Sequence, residues 1–146
     1  MTDSEKLFLI DTNLLIYAYD KSDEEKHLIA NKILEKCWKG QANYVISNQN
    51  LAEFSSIITK KVKNPLNEDS TKKIVSDISN FRGFLIINYN QKTITKALEI
   101  KKETKTSFWD SLLVATMTEN NVFNIYTENE KDIVKVKSIN VINPFK

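Results

Sequence analysis

Three carboxylates stand in this chain where a stability argument alone would not put them: Asp11, Glu53 and Asp110. Asp11 ends a short apolar run, Leu7-Phe8-Leu9-Ile10, that reads as a strand. Open parallel sheets bind ligands at that carboxyl edge. The same residue has a structural reading, because Asp11-Thr12-Asn13 offers three candidates for a helix N-cap. Glu53 falls in the second turn of a helix predicted over Asn48 to Lys60 and shares a face with Ile57; a glutamate early in a helix also suits the macrodipole. Asp110 makes the sharpest case. It is the only charge in Phe108-Trp109-Asp110-Ser111-Leu112-Leu113-Val114 and falls at helical spacing with Leu113, Val114 and Met117. An ionised carboxylate on an apolar stripe is costly unless it is paired, hydrogen-bonded or bound to metal. Capping of a helix that starts later is the alternative.

Acids brought together repel, and at least one pKa must rise. The chain offers them little relief: its one histidine is His27 and its one arginine is Arg82. A divalent cation would remove the repulsion, and oxygen-only ligation favours Mg2+ or Mn2+ over zinc.

The elements that must position these residues alternate from end to end. Apolar runs at residues 7–10, 43–46, 84–87, 122–126 and 139–142 read as strands. Amphipathic stretches lie between them: a turn or two through Leu14 and Tyr17, then helices over residues 24–38, 48–60 and 68–81, one marked by Ile94, Ala97, Leu98 and Lys101, and one over 108–118. Strands alternating with helices imply crossover units, hence an α/β fold with a mainly parallel sheet of about four to five strands covered on both faces. No repeat or linker interrupts the pattern, so residues 1–146 are expected to form one domain.

Several classes drop out. Only two glycines occur, Gly40 and Gly83, so no glycine-rich nucleotide loop can be written. His27 sits among Lys26 and Leu28 at a helix start, with no serine or cysteine motif to serve, and is expected at the surface. One cysteine, Cys37, excludes an internal disulfide and a thiolate zinc cage; beside Ile33, Leu34 and Trp38 it reads as core filler. A net charge of +2 leaves any nucleic-acid affinity to local patches. The acidic start, Met1 to Lys6, is not a signal peptide, and no stretch approaches a membrane span, so a cytoplasmic location is expected.

Four blocks then resemble those of the PIN-domain nucleases, including the toxins of VapBC-type toxin–antitoxin pairs. Residues 10–18, Ile-Asp-Thr-Asn-Leu-Leu-Ile-Tyr-Ala, resemble the family's opening strand and turn. Residues 47–54, Ser-Asn-Gln-Asn-Leu-Ala-Glu-Phe, are similar to its second acidic block, and residues 108–115 to its third. Residues 125–132, Ile-Tyr-Thr-Glu-Asn-Glu-Lys-Asp, resemble the strand-end block that closes the site. The resemblance implies a single PIN-like domain acting as a metal-dependent endoribonuclease. Asp11, Glu53 and Asp110 would hold Mg2+ or Mn2+, with Asn129 at the fourth position, where the family often carries aspartate. Asn129 brings an acceptor oxygen but no charge; Asp132 could substitute for it or face solvent. Asn13 and Thr127, with Asp132, would support the site. The resemblance further implies an RNA substrate, a homodimer and a cognate antitoxin over the acidic cleft.

Lysines at 60, 61 and 63, and at 101, 102 and 105, are candidates for gripping phosphate, though a solvated helix face explains each one too. Two rival classes remain. A haloacid-type or receiver-type phosphoacceptor also places aspartate after a first strand, but the haloacid type wants a second aspartate where Asn13 stands. A PIN-like binding module with a decayed site is the other, and Asn129 is the feature in its favour.

Overall fold

Along the first strand, β1 (Phe8–Ile10), neighbouring residues pack to opposite sides: Ile10 enters one hydrophobic cluster and Leu9 the other. The second strand, β2 (Tyr44–Ser47), repeats this, with Tyr44 and Ile46 on the side of Ile10 and Val45 on that of Leu9. A strand buried on both faces reads as an unbroken apolar run. That is why these two segments show no polar alternation.

The computed structural model describes residues 6–146; the acidic start at Met1 to Glu5 lies outside them. From β1 the chain enters α1 (Thr12–Tyr19) and α2 (Glu24–Trp38), then β2, α3 (Asn48–Ile58), α4 (Glu68–Asn80) and β3 (Phe84–Ile87). There follow α5 (Gln91–Thr104), α6 (Phe108–Glu119), β4 (Asn124–Tyr126), α7 (Glu130–Ile133) and β5 (Asn140–Ile142). The five strands form one sheet in the order β3-β2-β1-β4-β5, and every pairing is parallel. The α/β architecture expected from the alternation is therefore the observed one.

Side chains of α1 to α4 cover one face through Leu14, Leu34, Phe54 and Ile78. Helices α6 and α7 cover the other through Leu113, Met117 and Ile133. Helix α5 packs on the outside of α6, with Ala97 against Leu112 and Ala115. Cys37 is fully buried in the first cluster, as a core residue should be. His27 is half-exposed, and its Nδ1 lies 2.9 Å from the Tyr17 carbonyl. No helix among the described residues is long and apolar enough to cross a membrane.

Strand β4 begins at Asn124 rather than Val122, and two helices also differ from expectation. Helix α3 stops at Ile58, because the Leu66 N–H returns to the Ile58 carbonyl and closes the loop around Asn64-Pro65. Helix α7 has no counterpart in the sequence pattern. With four residues and only Ile133 buried, it is too short for a 3.6-residue period to register.

Candidate active site

The chain order places a crevice. From β1 the sheet grows through β2 to β3, and the chain then returns to β4 on the other flank of β1. Crossovers on either side of such a switch point leave an opening outside the carboxyl ends of the two central strands. The first residues past β1 and β4 are Asp11 and Thr127, and the Asp11 N–H is bound to the Tyr126 carbonyl at 3.1 Å.

The structural reading of Asp11 is the observed one, and burial is added to it. It is the N-cap of α1, its Oδ1 accepting from the Thr12 N–H at 2.8 Å. It is also a buried carboxylate, 8 % exposed. The Asn50 side-chain amide donates to Oδ1 at 3.2 Å, and the Thr127 hydroxyl donates to Oδ2 at 2.6 Å. Burial pushes its pKa up to about 6, against the pull of the Thr127 and Thr12 donors; the charges of Asp110 and Glu53 add to the rise.

Helix α3 starts where it does because Ser47 and Asn50 cap it reciprocally: the Ser47 oxygen accepts from the Asn50 N–H, and Asn50 Oδ1 accepts from the Ser47 N–H. The capping leaves the Asn50 amide nitrogen free to reach Asp11 and, at 3.1 Å, the Thr12 hydroxyl oxygen. Glu53 follows on the same helix. Its Oε2 accepts from the Thr12 hydroxyl at 3.4 Å, and its Oε1 from the Gln49 amide at 3.0 Å. Asn50 was not among the candidates, although serine followed three residues later by a polar amide is a visible capping signal.

Asp110 corrects the expectation in one respect. Leu113, Val114 and Met117 are buried, but Asp110 is only partly so. It is the third residue of α6, whose N-cap is Ser107: the Ser107 oxygen accepts from the Asp110 N–H at 3.2 Å, and its hydroxyl donates to Asp110 Oδ2 at 3.0 Å. Asp110 is thus no N-cap and no core charge; it lies at the open end of the helix, where the dipole favours an anion. Its pKa is raised all the same, chiefly by partial burial and further by the Asp132 charge, while Ser107 and Asn129 lower it. The most deeply buried of the three acids is Asp11.

The fourth wall comes from the segment after β4. Besides holding Asp11, the Thr127 oxygen accepts from the Asn129 N–H at 2.9 Å and from the Asn13 amide at 3.4 Å. Asn13 Oδ1 in turn accepts from the Glu128 N–H at 3.2 Å. The Asn129 side-chain amide donates to Asp110 Oδ2 at 3.4 Å. Asp132, on α7, does not line the pocket although its charge reaches Asp110; it lies 3.9 Å from Lys135 Nζ. A clamp missed in the sequence pins this segment: Glu128 accepts from the Tyr17 hydroxyl at 2.7 Å and pairs with Lys26 at 2.5 Å.

Asp11, Glu53, Asp110, Asn13 and Asn129 line one pocket of about 290 Å³, together with Thr12, Ile16, Tyr17 and Ile57. Among the described residues none of the three acids is ion-paired. None of the six candidate lysines is on this wall; Lys101, Lys102 and Lys105 surround a separate hollow of about 340 Å³ with Leu98. A larger groove of about 690 Å³ between α3 and α4 is lined by such residues as Ser55, Thr71 and Val75 and holds no comparable cluster of acids. Among the described residues no three His, Cys, Asp or Glu side chains are grouped tightly enough to enclose an ion by themselves. The donor set still fits a hard dication. Mg2+ keeps several waters and takes only one or two protein carboxylates. The pocket offers one buried carboxylate, Asp11, and two half-exposed ones, Glu53 and Asp110.

A doubly wound parallel sheet with an acidic pocket at its switch point is the class the geometry defines. The chain belongs to the PIN domain family, whose model matches residues 8–138. No curated protein matches it by sequence. Among solved structures it is similar to a toxin–antitoxin complex from Klebsiella pneumoniae, at 22% identity and TM-score 0.66, covering 94% of this chain and 97% of that one. It is also similar to the sarcin-ricin loop cleaving toxin VapC20 of Mycobacterium tuberculosis, at 16% identity and TM-score 0.67, covering 90% and 95%. VapBC2 of Rickettsia felis, bound to a DNA fragment from its promoter, gives 18% identity and TM-score 0.65 over 94% and 98%. At these identities the structural likeness speaks for the fold.

Proposed function

We propose that the chain is a metal-dependent endoribonuclease, the toxin of a type II toxin–antitoxin pair, which hydrolyses RNA phosphodiesters in the acidic pocket. One observation carries the reading: carboxylates from three distant segments, Asp11, Glu53 and Asp110, line a single pocket without a cationic partner among the described residues. The family membership and the toxin–antitoxin titles of the structural relatives point the same way.

Asp11 and Asp110 would hold Mg2+ or Mn2+, with Glu53 assisting. A divalent cation there supplies charge neutralisation and Lewis-acid activation of water and phosphate. The chain's own residues do the rest. Thr127 and Asn50 orient the Asp11 carboxylate, and Ser107 orients that of Asp110. The amides of Asn13 and Asn129 are on the pocket wall as hydrogen-bond donors for phosphate oxygens. No side chain need form a covalent bond to substrate. An antitoxin laid over the pocket would shut it, and a homodimer is the expected assembly.

Digestion of total RNA with Mn2+, comparing the unaltered chain with Asp110→Asn, tests the reading. Cleavage by the first, its loss with EDTA and its absence in the folded variant are expected. Full cleavage by Asp110→Asn overturns the assignment of that residue. RNA binding without cleavage by the unaltered chain would replace the reading with the non-catalytic module that Asn129 favours.

A further inference from the structure

Gln49 makes two hydrogen bonds that join separate parts of the acidic pocket. Nine-tenths buried on the first turn of α3, it donates from Nε2 to Glu53 Oε1 at 3.0 Å and to the Trp109 carbonyl at 3.0 Å. Its own Oε1 is buried with no partner among the described residues. An orphaned buried acceptor is a cost, and methionine or leucine would fill the same space without it. The amide therefore has a use that outweighs its unpaired oxygen.

That use can be read from the partners. A backbone carbonyl only accepts, so the Trp109 oxygen fixes which end of the amide faces it. With Nε2 turned to Trp109, the other N–H meets Glu53, which must act as acceptor. Trp109 immediately precedes Asp110 on α6. The amide is thus a strap between the helix that carries Glu53 and the helix end that carries Asp110. Among the described residues Glu53 has one other side-chain donor, the Thr12 hydroxyl at 3.4 Å, and it is half-exposed. Without the strap, repulsion from Asp11 would favour rotamers that turn Glu53 to solvent.

We propose that Gln49 is a positioning residue, holding Glu53 at a set separation from the Asp110 segment so that the acids face a divalent cation together. The proposal rests on the metal-dependent reading above. It assigns no contact between Gln49 and RNA.

The test is Mn2+ binding without RNA, followed by the electron paramagnetic resonance signal of free Mn2+, in the unaltered chain and in Gln49→Met. Methionine keeps the volume and removes both donors. The expected result is a melting temperature no lower than that of the unaltered chain, with Mn2+ affinity weaker on the order of 10-fold, the scale on which residues that orient metal ligands act. In RNA cleavage at fixed Mn2+, kcat should fall while KM for RNA stays put. Gln49→Asn, too short to span both partners, should lose affinity likewise and serves if the methionine variant does not fold. Undiminished Mn2+ affinity in either folded variant overturns the role of Gln49. An unaltered chain that takes up no Mn2+ overturns the metal reading itself and Gln49's role with it.

Discussion

The Thr127 hydroxyl lies 2.6 Å from Asp11 Oδ2, across 116 residues of sequence. One side chain follows β1 and the other β4, so the bond fastens the two neighbouring strand ends that frame the pocket. Thr127 is fully buried, and Asp11 nearly so. The pocket's deepest carboxylate is held by neutral donors rather than by a cation.

That arrangement sets a pH dependence. Asp11 titrates at about 6 in the fold against 3.8 unfolded, so between these values the native state binds more protons than the unfolded chain. Stability is fullest at low pH as far as this group is concerned, and is lost as pH rises through the window, by about 3 kcal/mol in all. Asp11→Asn should therefore stabilise the protein at pH 7.5, by about 2 kcal/mol or roughly 5 °C in melting temperature, and do little at pH 4. Melts at the two pH values decide this. The same variant should be inactive in RNA cleavage.

Replacing Thr127 by valine keeps the shape and removes the hydroxyl. Asp11 Oδ2 loses its donor, and the Asn129 N–H and the Asn13 amide lose an acceptor. Three groups left short of a partner, one of them a carboxylate, should cost about 3 kcal/mol. Thr127→Ser should recover most of it. Urea unfolding of the three chains measures the difference, and equal stability of the valine variant would contradict the role given to Thr127.

Metal should act against the penalty on Asp11. A ligand at a hundredfold excess over its Kd stabilises by about 2.7 kcal/mol, so Mn2+ should raise the melting temperature and EDTA should reverse the rise. Asp110→Asn should blunt the shift. Cleavage should fall away below about pH 6 as Asp11 takes up its proton, and more Mn2+ should move that acid limb to lower pH. An acid limb indifferent to Mn2+ would separate the two events.

Gly83 offers a test of the core. A Cβ there would lie 2.6 Å from Cys37 Sγ and 3.0 Å from the Phe81 ring. Gly83→Ala should cost about 2 kcal/mol through overpacking. Cys37→Ala in the same chain should return part of that, giving a coupling of about 1 kcal/mol in a double-mutant cycle. Strict additivity would show that the Phe81 ring, not the thiol, is the obstacle.

Most of the scaffold was written in local patterns. Strand β3 falls where the apolar run Phe84 to Ile87 stands, and α2 where Glu24 to Trp38 shows helical spacing, because burial of one stripe or of two faces leaves a periodic trace. Asp11 was visible as an acid at a strand end, and Asp110 as a charge in an apolar stretch. What lay beyond local pattern was how deep each would sit. Asp110 reads as the buried one because its neighbours are apolar, yet as the third residue of a helix capped by Ser107 it meets the open end. Asp11 reads as a cap, yet the return of the chain to β4 closes Thr127 over it.

Residue types and spacing by themselves determined the α/β class, the acids available and the scarcity of arginine and histidine to neutralise them. Only the tertiary structure decided that Asn50, Gln49 and Thr127 hold those acids, and that Asn129 rather than Asp132 is on the pocket wall. The physical reason is range. Periodicity records which face of an element is buried, whereas a hydrogen bond between strand ends depends on strand order, which the local pattern of residues does not encode.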